Sequence, residues 1–551
     1  MKQHLFALGS LTLLSWTSGC TEDSTQLKEN SLAENPASGS FWTLYEPNGI
    51  DFFHQSGPPK SRLLPQSLGA GCIVADLDND SDNDLYFLQG HDLEQVGQST
   101  SGNALYWNDG QGNFELAPPT SGASDPGFGI SGSVGDVDND GDLDIYICNL
   151  GPNVLLLNNG DGTFQPAEKT GGAVDDGFST GSTFFDADRD GDLDLYVTRY
   201  VDWSLELESE CVNLLGGIDF CPPGHYNRPL EDRFFRNDSG TFIDQTEFSG
   251  LSGHLGHGLA CAAGDVNGDG LDDIYVANDQ MPNFLWINNG DNTFSEQAVQ
   301  LGCATSNTGA ARAGMSVTLI DIDHDLDFDI HVSNLEGESD GMFLNEGGQF
   351  LDHSSFTGLA GASRKMTRWG AVFNDWDLDG EIEMYTACGR VLQTNQSSDH
   401  SPYGELDLFL KFDRDGGRFK SLPVLDSPTN SRAVASGDLD GDLFPELIVT
   451  NAWSDPVFLK AHQAPPHDAF AVIEVLINGS HAIGATVEIQ RQDDQIQRHR
   501  IHRDGGYAAS HTPGILCSSP EFVKEVKVLW PNGEQVAIPG PLNSGLIQIT
   551  K

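Results

Sequence analysis

The chain has 551 residues, 38% of them hydrophobic, and its 63 glycines suit a folded β-rich protein better than a disordered one. It carries 28 Lys and Arg against 82 Asp and Glu, a formal net charge of −54. Such a charge argues against nucleic acid and anionic membrane surfaces as partners, since both would repel the protein. The acidic residues cluster in regularly spaced groups, which indicates metal binding.

The N-terminus resembles a secretory signal followed by a lipid-attachment cysteine. Lys2 precedes an apolar stretch from Leu5 to Trp16, which is shorter than the roughly 20 residues of a membrane-spanning helix. The small residues before Cys20 resemble a bacterial lipobox, although Thr17 stands where Leu is usual. We expect a signal peptide over residues 1–20 with lipidation at Cys20, a linker over 21–40 and an extracytoplasmic protein. Secretion without a lipid anchor is the alternative.

An acidic nonapeptide then recurs along the chain. Its seven copies read DLDNDSDND from Asp76, DVDNDGDLD from Asp136, DADRDGDLD from Asp186, DVNGDGLDD from Asp265, DIDHDLDFD from Asp321, DWDLDGEIE from Asp375 and DLDGDLFPE from Asp438. Apolar, strand-like runs flank each copy, and most copies are followed by a second hairpin signature such as LLLNNGDGTF from Leu155. Each unit therefore predicts four strands.

Seven four-stranded units predict an all-β fold, a seven-bladed β-propeller over residues 41–465 with calcium loops, followed by a small β-rich domain over 466–551. A stacked solenoid is the alternative architecture. The segment from Phe41 to His54 is expected to supply a strand that closes the ring. We expect a monomer.

The nonapeptide has the ligand pattern of a calcium site. Oxygen-bearing side chains stand at positions 1, 3, 5 and 9, and calcium takes about 6–8 oxygen ligands in flexible geometry. Position 7 varies between Asp, Glu, Leu and Phe, which is harmless if it coordinates through its backbone carbonyl. Position 12 falls in a strand run, which excludes an EF-hand. We expect up to seven structural Ca²⁺ ions, and a solvated acidic turn without metal is the alternative.

The predicted calcium ligands follow the loops in order. They are Asp76, Asp78, Asp80, Asp82 and Asp84; Asp136, Asp138, Asp140, Asp142 and Asp144; Asp186, Asp188, Asp190, Asp192 and Asp194; Asp265, Asn267, Asp269, Leu271 and Asp273; Asp321, Asp323, Asp325, Asp327 and Asp329; Asp375, Asp377, Asp379, Glu381 and Glu383; and Asp438, Asp440, Asp442, Phe444 and Glu446.

A long insertion from Tyr200 to Leu230 separates the third and fourth nonapeptides. Cys211 and Cys221 bracket a short loop within it and are the predicted disulfide of an oxidising compartment. The insertion either binds a ligand or covers the mouth of the channel. Four other cysteines lie in strand runs and are expected to be buried thiols: Cys72, Cys148, Cys261 and Cys388.

The nonapeptide units resemble the FG-GAP/VCBS repeats of integrin α-subunit propellers over roughly residues 60–460. In that family the DxDxDGxxD loop binds calcium in a chiefly structural role, which the resemblance implies for the matching positions here. HAIGATVEIQ from His481 and the segment from Trp530 to Gly533 resemble the ASPIC/UnbV domain. That domain follows such propellers in bacterial proteins and in animal cartilage acidic proteins. The sequence departs from the domain's pattern at Cys517, where a Gly-Leu-Gly-like turn is common.

The sequence carries no HExxH or GxxxxGK[ST] motif. We therefore expect an adhesion or ligand-binding module on the cell envelope rather than an enzyme, with a glycan or protein ligand and membrane contact only through a lipid anchor. The alternative is a carbohydrate-active enzyme, a polysaccharide lyase or hydrolase, with basic candidates at His225, His254, His257, Arg312 and Arg368. Six residues are expected at the channel mouth, either binding a ligand or filling space between blades: Arg199, Tyr200, Trp203, Arg312, Arg368 and Trp369.

Overall fold

The computed structural model describes residues 40–58, 60–95, 102–167, 173, 175–394 and 402–551. The predicted signal peptide, Cys20 and the predicted linker up to residue 39 lie outside the described residues. The remaining chain forms one compact unit. No helix in the described ranges is long and apolar enough to cross a membrane.

The chain begins with strand β1 (Trp42–Tyr45) and continues with four-stranded antiparallel units, which we call blades. The strands of the first three blades are β2 (Cys72–Ala75), β3 (Asp84–Phe87), β4 (Ala104–Asn108) and β5 (Phe114–Leu116); β6 (Phe128–Gly135), β7 (Asp144–Pro152), β8 (Val154–Asn158) and β9 (Phe164–Pro166); and β10 (Asp176–Phe185), β11 (Asp194–Arg199), β14 (Arg233–Asp238) and β15 (Thr241–Asp244). The insertion between β11 and β14 holds β12 (Cys211–Val212), β13 (Ile218–Asp219) and helix α1 (Pro223–Tyr226).

The remaining blades repeat this order. Their strands are β16 (Gly258–Gly264), β17 (Asp273–Asn278), β18 (Phe284–Asn288) and β19 (Phe294–Glu296); β20 (Ser316–Ile320), β21 (Asp329–Ser333), β22 (Gly341–Asn345) and β23 (Phe350–Asp352); β24 (Arg368–Asn374), β25 (Glu383–Cys388), β26 (Leu408–Asp413) and β27 (Arg418–Ser421); and β28 (Ser431–Gly437), β29 (Glu446–Asn451) and β30 (Val457–Ala461). Two further short helices are α2 (Ala298–Leu301) and α3 (Leu359–Ser363).

The first strand of each blade contacts the first strand of the next, and β28 of the last blade contacts β2 of the first, so the inner strands form a closed ring. Strand β1 pairs antiparallel with β30, from Trp42 opposite Ala461 to Tyr45 opposite Phe458, and becomes the outermost strand of the last blade. The N-terminal segment thus closes the ring. The predicted all-β propeller is confirmed.

The short apolar runs beside the nonapeptides form strands because both faces are buried between neighbouring blades. In β7, Ile145 to Cys148 are all fully buried, and Ile145 and Ile147 pack against side chains of the first blade. Continuous apolar runs without alternation are typical of strands covered on both sides. The stability of the ring therefore comes largely from interfaces between blades.

The C-terminal residues form two small sheets. The strands of this domain are β31 (Phe470–Ile477), β32 (Ser480–His481), β33 (Thr486–Arg491), β34 (Ile496–Arg500), β35 (Ala509–Ser510), β36 (Ile515–Ser518), β37 (Val523–Leu529), β38 (Gln535–Pro539) and β39 (Gly545–Thr550). One sheet has the order β34-β33-β37-β38, and the other centres on β31, which pairs with β32, β36 and β39. The domain has its own buried core.

Residues 500–512 of the C-terminal domain, the plug segment, enter the centre of the ring. Strand β35 pairs in parallel with β2, and the Ala508 carbonyl accepts from Cys72 N–H at 3.0 Å. Tyr507 is fully buried and its hydroxyl accepts from Gly69 N–H at 3.1 Å. On the other side of the ring, Asp504 accepts from Ala263 N–H at 3.1 Å. The plug segment thus fills the channel that the sequence predicts.

Candidate metal centres

The seven nonapeptides form one repeated loop between the first and second strands of each blade. Positions 4 and 6 have positive φ in every copy, including copies without glycine, such as Leu326 at φ 79° and Leu443 at φ 65°. Such conformations are uncommon for non-glycine residues. The loop geometry therefore comes from the hydrogen-bond pattern as well as from glycine.

Carboxylates hold each loop together. The position 1 side chain accepts from the backbone N–H of position 6, as Asp76 does from Ser81 at 3.0 Å. The position 9 side chain accepts from the N–H of position 2, as Asp84 does from Leu77 at 2.9 Å. The same two bonds recur in all seven copies. The acidic residues therefore shape the loop in addition to offering oxygen ligands.

The predicted ligands converge. In the loops that begin at Asp76, Asp136 and Asp186, one carboxylate oxygen from each of positions 1, 3 and 9 lies within 4.8 Å of the others, and Asp321, Asp323 and Asp325 converge in the same way. Several of these oxygens are buried without a hydrogen-bond partner, including Asp78 Oδ1 and Asp323 Oδ1. Buried, mutually facing oxygens of this kind fit a hard divalent cation. These clusters could hold metal ions.

Burial raises the pKa of Asp84 and Asp144 to about 8, against opposing hydrogen bonds from backbone N–H groups. A carboxylate in such a place is costly to ionise unless a cation neutralises it. At position 7 of the third loop, the Asp192 side chain accepts from Ser239 N–H, in the hairpin turn of the same blade, at 2.7 Å. Its backbone carbonyl is left to serve as the ligand that the sequence predicts.

Asparagines of the first five blades, a feature that the sequence analysis missed, link the loops of neighbouring blades. Asn158 ends β8, where its N–H donates to Asp144 at 2.8 Å and its Nδ2 donates to the Leu77 carbonyl of the preceding blade at 2.9 Å. Four asparagines at the same place make the equivalent pair of bonds: Asn108, Asn237, Asn288 and Asn345. The recurring Asn of the hairpin signature could have indicated this link, but the same residue is also typical of a turn.

The last two loops differ because each holds a lysine. Lys411 Nζ lies 2.6 Å from Asp377, 2.5 Å from Asp379 and 3.1 Å from Glu383. Lys460 Nζ contacts Asp440 and lies 2.9 Å from Asp442 and 3.5 Å from Glu446. These carboxylates are the predicted ligands at positions 3, 5 and 9. The two loops therefore do not fit a divalent cation as the others do.

The insertion covers the end of the channel opposite the plug segment. Cys211 and Cys221 form a disulfide with a Cα–Cα distance of 5.2 Å. Asp219 accepts from Tyr403 hydroxyl at 2.9 Å and from Gln393 N–H at 2.7 Å. Together with Tyr200 and Trp369, Phe220 lines a small cavity beneath the insertion. The remaining cysteines of the described chain are buried free thiols, among them Cys303 and Cys517.

The basic candidates for catalysis have separate structural partners. Buried Arg368 pairs with buried Asp340 at 2.7 Å, and Arg312 pairs with Asp352 at 2.7 Å. His257 Nδ1 lies 3.0 Å from the Asp279 carbonyl, to which it donates.

The remaining basic candidates and the predicted residues of the channel mouth also have partners within the protein. His225 is hydrogen bonded to Ser209 and His254 packs on Trp286. Arg199 pairs with Asp175, and Trp203 donates to Glu208. Among the predicted mouth residues, Tyr200, Arg368 and Trp369 are buried and fill space within the ring.

Two family models match this chain. The FG-GAP-like repeat matches residues 76–147, 136–197 and 265–332, and the model described as ASPIC and UnbV matches residues 477–544. The chain therefore carries FG-GAP-like repeats and an ASPIC/UnbV domain, as the resemblance implies.

Among curated proteins, human cartilage acidic protein 1 is 24% identical over 314 residues, which cover 54% of this chain and 45% of that protein. The matched region thus spans less than half of that relative. Among solved structures, YCF48 bound to D1 peptide is 10% identical with a TM-score of 0.39, covering 78% of this chain and 99% of that chain. An Agrocybe aegerita lectin that recognises non-reducing terminal N-acetylglucosamine is 15% identical with a TM-score of 0.37, covering 70% of this chain and 87% of the lectin chain. At these values the activities of these proteins do not transfer to this chain.

Proposed function

We propose that the protein is an extracytoplasmic, calcium-stabilised β-propeller that acts as an adhesion or ligand-binding module on the cell envelope. The observation that carries this proposal is the set of carboxylates that face one another in the loops of the first, second, third and fifth blades, with at least one buried carboxylate in each cluster. No described Lys or Arg forms an ion pair with them. The Cys211–Cys221 disulfide supports an oxidising, extracytoplasmic location.

Calcium would stabilise the ring at the interfaces on which it depends. Carboxylates about 4 Å apart repel by several kcal/mol at a partly shielded site, and the same loops bond to the asparagines of neighbouring blades. Each occupied site adds about 2.7 kcal/mol when free calcium exceeds Kd a hundredfold. Loss of calcium should therefore loosen the contacts between blades.

Thermal unfolding of the signal-free protein in excess calcium and in excess chelator tests this role. We expect a large loss of stability in chelator that calcium reverses and magnesium does not. Asp138→Ala should weaken calcium binding and lower the unfolding temperature. Asp161→Ala, which changes an exposed acidic residue of the hairpin turn after β8, is the matched control. Equal unfolding temperatures in calcium and chelator would contradict the proposal.

The insertion supplies the surface that we propose contacts the ligand. On β12, β13 and the turn between them it exposes four aliphatic side chains, Val212 at 66%, Leu214 at 104%, Leu215 at 58% and Ile218 at 52%. The disulfide and the bonds of Asp219 hold this hairpin in place, so little conformational entropy is lost on binding. A rigid aliphatic tip without an aromatic ring favours an apolar protein surface over a glycan.

Selection of a phage-displayed peptide library against the wild-type protein, beside a glycan array, tests the surface. Peptides selected on the wild type should lose binding to Leu214→Ser/Leu215→Ser. They should keep binding to Val299→Ser, a control at an equally exposed site on α2. Glycan binding that survives the double substitution would place the ligand site elsewhere. Depletion of a polysaccharide substrate would instead favour the enzyme alternative.

A further inference from the structure

The last two loops take their cation from the chain itself. We propose that Lys411 and Lys460 replace the calcium ions of the sixth and seventh loops, so that the propeller binds at most five calcium ions rather than seven. This inference rests on the proposed calcium role of the other loops. It concerns which loops bind metal and which contain a lysine in its place.

The position of each ammonium group carries the first part of the argument. In both loops Nζ contacts the carboxylates of positions 3, 5 and 9, and in the first three loops an oxygen of position 3 lies close to one of position 9. The lysine does not reach position 1. There Asp375 accepts from Gly380 N–H at 2.9 Å and Asp438 accepts from Leu443 N–H at 2.8 Å, as in the other copies. The ammonium group thus contacts three of the four predicted carboxylate ligands in each loop.

Three positions change together in these two blades. In the first five blades position 9 is Asp, and its second oxygen accepts from the N–H of the interblade asparagine, as Asp144 does from Asn158. In the last two blades position 9 is Glu, and the residue in register with it on the third strand is Lys, at Glu383 opposite Lys411. Phe412 and Ala461 stand where the asparagines stand elsewhere. The extra methylene of Glu lets one oxygen keep its backbone bond while the other faces the lysine.

The third blade provides an internal comparison. Its residue at the lysine position is Arg236, another cation, yet Arg236 lies 3.8 Å from Asp238 in an ion pair outside the loop. The carboxylates of Asp186, Asp188 and Asp194 still converge. A basic residue at this position is therefore not sufficient. The combination of Glu at position 9, no asparagine and a lysine marks the loops whose carboxylates contact a lysine of the same blade.

The contacts of the two lysines agree with this assignment. Lys411 contacts Asp377, Asp379 and Glu383, and Lys460 contacts Asp440, Asp442 and Glu446. A lysine side chain carries a positive charge at neutral pH. A divalent cation would have to displace a tethered charge that already contacts three carboxylates.

Calcium stoichiometry, measured by native mass spectrometry and by elemental analysis after gel filtration, tests the assignment. We expect at most five ions in the wild type and two more than the wild type in Lys411→Met/Lys460→Met. Lys420→Met should leave the wild-type count unchanged, because Lys420 pairs with Asp413 outside the loop. Seven ions in the wild type would overturn the inference and leave the calcium proposal standing. No bound calcium in any variant would instead overturn the proposed function.

Hydrogen exchange after calcium removal is the second measurement and needs no variant. Backbone amides of the loops beginning at Asp375 and Asp438 should stay protected, because their bridging cation remains covalently attached. Amides of the loops beginning at Asp76 and Asp136 should lose protection by tenfold or more. Equal loss of protection in all seven loops would contradict the assignment, since it would show that the last two also depend on calcium.

Discussion

At the residue scale, Asn158 shows how one side chain can join two blades. Its Nδ2 donates to the Leu77 carbonyl of the first blade and to the Leu143 carbonyl of its own blade, at 2.9 and 3.2 Å. Its Oδ1 accepts from Gly160 N–H at 3.1 Å. Since the side chain is buried, these bonds are made where water cannot replace them.

Asn158→Ala should lower the free energy of unfolding by about 2–3 kcal/mol, because it leaves two buried carbonyls without their donor. Urea unfolding in excess calcium measures this loss. Asn159→Ala is the matched control, since Asn159 is exposed and its Nδ2 bonds only to Thr163 within its own turn. A loss no greater than that of the control would show that the link between blades contributes little.

Local sequence could not reveal this role. The Asn of LLLNNG is readily interpreted as a turn residue, and the turn is present, with Gly160 and Gly162 both at positive φ. The partner of Asn158, however, is a backbone carbonyl 81 residues away. Any residue type offers such a carbonyl, so no pattern marks it. The ligand positions, in contrast, could be predicted because coordination chemistry constrains residue types within nine neighbouring positions.

At the element scale, the plug segment combines charged and aromatic side chains in a buried place. Asp504 accepts from Arg500 at 3.0 Å, which together with the adjacent His502 keeps the pKa of Asp504 low despite the burial. His511 Nε2 donates to the Gly505 carbonyl at 3.0 Å, while its Nδ1 is buried without a hydrogen-bond partner in the described chain. The segment has no repeat or regular period. The sequence therefore predicted the surrounding domain but gave no sign that this part of it would fill the ring.

The free energy of unfolding should decrease as the pH falls through the range in which His511 titrates. Burial lowers the pKa of His511 to about 4, with His502 adding to this and Asp504 opposing it. Between pH 6.5 and 4 the unfolded chain then binds more protons than the folded one. The contribution of the neutral His511 side chain to the free energy of unfolding is therefore complete above pH 6.5 and is lost towards pH 4. This pH-dependent loss of stability is on the order of 3 kcal/mol.

His511→Gln keeps a donor for the Gly505 carbonyl and cannot ionise. Urea unfolding at several pH values from 7 to 4 should therefore show a shallower pH dependence for this variant than for the wild type. His467→Gln, an exposed site, should keep the wild-type dependence. Parallel curves for the wild type and His511→Gln would show that His511 is accessible to protons in the folded state.

At the scale of the whole molecule, the propeller and the C-terminal domain are held together by many contacts besides the chain that connects them. The plug segment bonds to inner strands on opposite sides of the ring. Near the loops, Ser480 Oγ donates to Asp136 at 3.1 Å. Phe470 and Leu516 pack with Trp376 and Phe444 of the last two blades. The family matches treat the repeats and the ASPIC/UnbV domain as separate modules, whereas these contacts make them one structural unit.

Cutting the connection should therefore leave the two parts bound. Residues 463–468 join β30 to β31 and are largely exposed, so a protease site inserted there should be tolerated and cleaved. After cleavage in calcium, we expect both fragments to elute together on gel filtration and to unfold in one transition, because the buried contacts do not depend on the linker. Tyr507→Ala removes the aromatic side chain that is buried in the ring beside Trp369, and should weaken the association of the cleaved fragments. Separate elution of two folded fragments from the cleaved wild type would mean that the linker, and not the plug segment, holds the domains together.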